Sequence, residues 1–207
     1  MKQKDKIDIT GHLQIVKVYT DGKEEVAFDD HNVITSGMGA GLGLLYAGSG
    51  AADITNFQIR YFQLGVGGDT VINSYGPDQT FLVSALGQVN GASDYQSDAR
   101  STIPVFAHQL SNKFGNALQD SEGATDSWQF GFISDNAIKR VDLNSVTYIL
   151  YVDQYSCNDL TLNEVGLFMK NPQGLGTNRS TLVAYRPFTD ITKTDDFSLV
   201  FKWTLNF

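Results

Sequence analysis

Few stretches of this 207-residue sequence hold side chains or backbone suited to chemistry. They are a glycine run, "NVITSGMGAGLGLLYAGSG" at 32–50, one acid inside an apolar stretch, Glu164 in "LNEVGLF", three histidines, and the lone Cys157. A dinucleotide loop needs glycine at its first, third and sixth positions so that backbone amides reach the pyrophosphate. Counting from Gly37, Gly39 or Gly41, the sixth position is Leu42, Leu44 or Tyr46, and no Gly-Lys-Ser/Thr follows to make a phosphate loop. His12, His31 and His108 fall in neither HxH nor HExxH, and Asp8, Asp53, Asp69, Asp94 and Asp98 do not follow calcium-loop spacing. "YAGSG" has Ala47 where a nucleophile elbow needs glycine. Cys157 has no histidine near it in sequence and reads as a buried thiol. Glycoside hydrolysis needs two facing carboxylates. Glu164 is the best single candidate, without an evident partner, and the stronger reading is a carboxylate held by backbone amides or by Arg186. The residue types therefore imply no catalytic residue, no cofactor and no metal site.

The glycine run makes sense as structure. Met38, Leu42 and Leu45 lie at i, i+4 and i+7, the spacing of one helical face, which predicts a short helix over 32–47. Glycines at 37, 39, 41 and 43 would cost that helix roughly 3 to 4 kcal/mol relative to alanine. Such a cost is explained if a neighbouring sheet or subunit comes close at Gly37, Gly39 and Gly41, where a Cβ would hold it away.

The elements around these residues are strands. In "FSLVFKWTLNF" every odd position from Phe197 to Phe207 is apolar, which predicts a strand with one face, including Trp203, on the core. "GHLQIVKVYT" and "KEEVAFDD" flank Asp21-Gly22, which predicts an N-terminal hairpin within 1–30 closed by a type I′ turn. Further strands are expected in 57–67, 101–110, 128–133, 146–152, 163–169 and 181–188, with Pro104 marking an edge or bulge. Segments 68–80, 87–100 and 111–127 read as long polar loops, functional or lying against a partner. The fold class is mainly β: an antiparallel β-sandwich or jelly roll with one or two short helices and long loops, in a single domain over 1–207.

Composition narrows the partners. Fifteen Lys and Arg against 23 Asp and Glu give a net charge of −8, which argues against a sequence-independent grip on nucleic acid. No run approaches the roughly 18 apolar residues of a membrane helix. "MKQKDKIDITGHLQ" is not a secretory leader, because polar residues interrupt any apolar stretch. One cysteine leaves no intrachain disulfide and fits assembly in a reducing cytoplasm.

Taken in order, "HNVITSGMGAGLGLL", "FQLGVGG", "LNEVGLF", "LVAYRPFTDITKT" and "SLVFKWTLNF" resemble a group of small bacteriophage virion proteins. In that group an N-x-[IV]-x-x-x-G helix start precedes a strand ending in G-x-G, an E-[IV]-G-L-F strand, a K-[ST] turn and a final W-x-[LI]-x-F strand. The similarity spans roughly 31–207, although "GMGAGLGLL" is richer in glycine than the usual helix. The resemblance implies that Asn32, Gly65, Gly67, Glu164, Gly166, Leu167, Phe168, Lys193 and Trp203 are framework positions and that none is catalytic. It implies a non-enzymatic virion component assembled in the bacterial cytoplasm, in a tail, collar, neck or baseplate. Its expected partners are other virion proteins and itself, as a trimer or hexamer. The alternatives are a capsid decoration protein and a carbohydrate-binding module or small glycosidase, for which the long loops would meet a host glycan.

Overall fold

Alternation in the chain becomes strand pairing over most of its length. The computed structural model describes residues 8–48, 53–80, 82–84, 116–118, 131–133, 137–155, 157–169, 172 and 181–207. The strands are β1 (Thr10–Tyr19), β2 (Glu24–Ile34), β3 (Ile59–Gly65), β4 (Asn116–Leu118), β5 (Gly131–Ile133), β6 (Ile138–Arg140), β7 (Ser145–Val152), β8 (Thr161–Met169), β9 (Thr181–Thr192) and β10 (Phe197–Asn206). Among the described residues one helix, α1, covers Ser36–Tyr46, and 3₁₀ turns occupy Ile54–Phe57 and Gly68–Thr70. The strand order is β4-β5-β3-β8-β9-β2-β1-β10-β7-β6, antiparallel at every step. The expected strand at 101–110 with Pro104, and the loop at 87–100, lie outside the described residues.

Strand β2 turns this sheet into two layers. Glu24 to Asn32 pair with β1, whereas Val33 and Ile34 pair with Tyr185 and Ala184 of β9. The layers face each other across one core that joins Leu13, Ile15, Phe201 and Trp203 to Phe62, Leu64, Val165 and Leu167. Phe188 of β9 crosses the gap, 6.0 Å from Phe28 and 6.2 Å from Phe201 between ring centroids. The fold is thus mainly β and sandwich-like, and Trp203 is fully buried as its place in the alternation requires. Phe207, the last apolar odd position, leaves the core and is 44% exposed.

Four local expectations need correction. The hairpin forms, but its turn has three residues: Gly22 N–H donates to Tyr19 O, Tyr19 N–H donates to Lys23 O, and Gly22 takes φ +89°. Thr20 and Asp21 keep negative φ, so this is a type I turn followed by a left-handed glycine, with no type I′ pair. Strand β2 runs on to Ile34, so Asn32 is a strand residue packed over Gly11 and the helix starts at Ser36. Asn116–Leu118, placed in a loop by sequence, is a short strand beside β5.

The fourth correction concerns the glycines. Thr35 donates its hydroxyl to Leu182 O at 2.5 Å and its N–H to Val183 O, so α1 starts pressed onto β9. A Cβ at Gly37 would run into Leu182 O, and one at Gly41 into Met169 Sδ. At Gly39 and Gly43 a Cβ meets nothing described within 4 Å, so close packing does not account for Gly39. Replacing Gly37 or Gly41 by Val is expected to cost about 1 to 3 kcal/mol through overpacking. Gly39→Ala should instead raise stability by about 0.8 to 1 kcal/mol through helix propensity. Urea midpoints of the three variants check the contrast.

Candidate functional site

Strand β8 does not alternate: every residue from Leu162 to Met169 is buried. Its inner face meets the shared core, and its outer face, with Phe168, joins a second cluster of Tyr61, Leu82, Leu182 and Tyr185. What covers that outer face is the segment 66–84, of which 68–80 reads as a long polar loop in sequence; it lies down on the layer with Val71, Tyr75 and Leu82 pointing into the cluster.

Glu164 is buried within this construction, with no exposed surface. Its Oε1 accepts from the N–H of Ser84 at 2.7 Å and of Gly67 at 3.2 Å. Its Oε2 accepts from the N–H of Val83 at 2.8 Å and from the Tyr185 hydroxyl at 2.7 Å. Four donors match the four acceptor positions of a carboxylate. Both ends of the 66–84 segment therefore converge on one side chain, and Val66 N–H to Ser84 O at 2.9 Å closes the neck directly. Asn163 adds a bond from Gly68 N–H to its Oδ1 at 2.7 Å. Beside the carboxylate, burial pushes the Tyr185 phenol far up, and the negative charge adds to the shift.

The framework glycines are explained by this anchor. Gly65 lies directly opposite Glu164 in the β3–β8 register, and a Cβ there would strike the carboxylate. A Cβ at Gly67 would fall 2.8 Å from Ser84 N, and one at Gly68 would meet Asn163 O. Gly166 leaves room for Leu182 and Leu82, whose Cδ1 atoms would lie 2.6 and 2.8 Å from an added Cβ.

Arg186 does not pair with Glu164. Its guanidinium donates to Asp30 at 2.6 Å and to the Tyr75 hydroxyl, and lies over the Phe28 and Tyr75 rings at 5.0 and 5.3 Å. It thus ties the covering segment to the β2 corner. Burial lowers its pKa against the pull of Asp30. Pro77 O accepts from Ser36 N–H at 2.7 Å, so the same segment also caps α1.

Lys193, in the β9–β10 turn, is the second buried charge. Its ammonium donates to Thr194 O at 2.5 Å, Asn158 Oδ1 at 2.9 Å and Gln154 O at 3.1 Å, and sits 5.2 Å from the Phe197 ring centroid. It organises the turn that holds Cys157 and Asp159 at φ 61° and 63°, and Cys157 is buried. Burial depresses the Lys193 pKa to about 8, opposed by Cys157, Asp153, Asp195 and Asp196.

His12 and His31, distant in sequence, meet across β1 and β2 with ring centroids 5.7 Å apart, and His12 Nε2 lies 2.7 Å from Asp29 Oδ1. This exposed group was missed because only strand register brings it together. Asp53 caps its own 3₁₀ turn by accepting from Thr55 N–H at 2.8 Å. Among the described residues no three His, Cys, Asp or Glu side chains are placed to hold a metal ion, and no helix is long and apolar enough to cross a membrane. A hollow of about 480 Å³ opens between α1, the Ile54–Phe57 turn and β6–β7, walled by Leu42, Phe57, Ile59, Tyr148 and Phe207. Burial pushes the Tyr148 phenol in that wall up to about 12.

The chain matches no protein-family model, no curated protein and no solved structure.

Two outcomes follow. Glu164→Gln would turn its amide donor toward one of the four donors, so it should cost about 2 kcal/mol or more in the denaturation midpoint, with loosening of 66–84 toward proteases. For Lys193 the unfolded chain binds the proton more tightly, because the folded pKa is below the usual lysine value near 10.4. The Lys193 contribution to stability is therefore least favourable below about pH 8 and rises as the pH climbs from about 8 toward 10.4, by up to about 3 kcal/mol. Urea melts across that range should show the rise in the native chain and lose it in Lys193→Met.

Proposed function

We propose that this chain is a non-enzymatic structural component of a bacteriophage particle, an oligomeric piece of a tail, collar or neck, or baseplate. The observation that carries this reading is the fate of Glu164. The one acid set inside an apolar strand has its acceptor positions filled by Gly67, Val83, Ser84 and Tyr185, so its carboxylate serves cohesion. Lys193 is consumed in the same way by three oxygen acceptors. Asn32, Gly65, Gly67, Gly166, Leu167, Phe168 and Trp203, the other framework positions of the phage resemblance, pack against neighbours or lie in the cores. A rigid sandwich whose charged and glycine positions serve packing suits a part repeated around a symmetry axis.

The test is proteomic. Mass spectrometry of purified particles of a phage that encodes the chain is expected to find it in a copy number that is a small multiple of three or six. Copy numbers on the order of hundreds would move it to the capsid surface as a decoration protein. Absence from particles, with the protein free in the lysate, would overturn the virion reading in favour of a glycan-binding or glycan-cleaving protein.

A further inference from the structure

The two layers part at one end of the core, and the hollow of about 480 Å³ lies in that gap. Met38 and Leu42 of α1 and Met169 at the end of β8 form one side, and Ile138 of β6 with Val146 and Tyr148 of β7 form the other. The volume falls within the range of about 300 to 1,000 Å³ typical of small-molecule pockets, whose walls are likewise mostly apolar. The two methionines are flexible, polarizable side chains that adjust to what lies against them.

One polar group in these walls lacks a partner. Tyr148 is only 7% exposed, yet its hydroxyl makes no hydrogen bond to a described residue and is not sealed from open space. Buried polar groups are ordinarily paired. Tyr185 and Tyr151, buried elsewhere, follow that rule by donating to Glu164 and Ser198. Arg60 stands in the same wall, its Nε donating to Gln58 Oε1 at 2.9 Å and its Nη1 to Ile133 O at 3.3 Å. Its charge acts on the Tyr148 hydroxyl and opposes the rise that burial causes. A cation beside a hydroxyl orients that dipole, drawing the oxygen toward itself and turning the proton away. With its pKa pushed up to about 12, the phenol keeps this proton at neutral pH. The hydroxyl is therefore set to donate into the hollow.

We propose that the hollow binds a small, uncharged apolar molecule carrying one carbonyl oxygen, which accepts from the Tyr148 hydroxyl while the apolar body lies between α1 and the β6–β7 wall. The recessed position of the hydroxyl selects a molecule that enters the hollow over a surface that would only cover it. A charged head is not called for, because Arg60 already has acceptors, and Asp53 and Asp142 flank the elements around the hollow. The site is separate from the Glu164 anchor and does not depend on where the chain sits in a particle.

The test uses the full chain and two probes of nearly the same shape, 2-acetylnaphthalene, which carries a carbonyl oxygen, and 2-ethylnaphthalene, which does not. Amide chemical shifts of isotope-labelled protein follow each titration, and the changes are expected to centre on Leu42, Ile59, Val146 and Tyr148. Tyr148→Phe keeps the ring and removes a hydroxyl that holds no described residue, so its unfolding midpoint should match the wild type. It should bind the ketone about five- to tenfold more weakly than the wild type does, the effect of one net hydrogen bond, and the hydrocarbon equally well. No shift change up to the solubility limit of both probes, or changes centred outside the hollow, would overturn the site. An unchanged ketone affinity in Tyr148→Phe, or an equal loss for both probes, would overturn the donation by Tyr148 and with it the proposal.

Discussion

A carboxylate removed from water is costly unless its acceptor positions are filled, and the arrangement around Glu164 meets that constraint. Its four donors come from three places: Gly67 just after β3, Val83 and Ser84 at the far end of the covering segment, and Tyr185 on β9. Because the amides must reach the oxygens, the backbone at 65, 67 and 68 runs too close for side chains, and glycine stands at each position. Because both ends of 66–84 meet at one point, the segment closes over the outer face of β8 and β9 and buries a second cluster there. The sandwich layer that would otherwise expose Phe168 and Leu182 is thereby sealed by chain that has no strand partner.

Lys193 does for the opposite edge what Glu164 does for the layer. A single ammonium gathers carbonyls and an amide oxygen from the 153–160 and 193–196 turns, and two residues without glycine's freedom accept left-handed backbone there. Positive and negative buried charges thus fix two sets of connections, and the strands between them are fixed by apolar alternation.

Much of this was legible because it is periodic. The β10 alternation gave the buried face of Trp203, and 163–169 read as a strand, although the covering of both its faces was not legible. Asp21-Gly22 marked the hairpin, although the register of Tyr19 against Lys23 selected a three-residue turn. Glu164 could be singled out as an acid in an apolar strand held by amides, yet not which amides, because Val83 and Ser84 lie 81 and 80 residues away along the chain. The cross-strand meeting of His12 and His31 depends on register in the same way. Gly39 misled because glycine spacing does not say which helix face meets β9, and only Gly37 and Gly41 meet a neighbour. Segment 68–80 read as a long polar loop, functional or lying against a partner, because the anchors beside it are backbone amides, which carry no residue-type signal.

The central claim is that the Glu164 carboxylate makes the covering segment part of the folded body. Native-state amide hydrogen exchange tests it directly in the unaltered chain. The account predicts that the Gly67, Val83 and Ser84 amides exchange only with global opening, at rates matching the β8 and β9 ladder amides around Leu167 and Ala184. Exchange of those three amides at the rates of an unprotected loop, while the ladder stays protected, would contradict it.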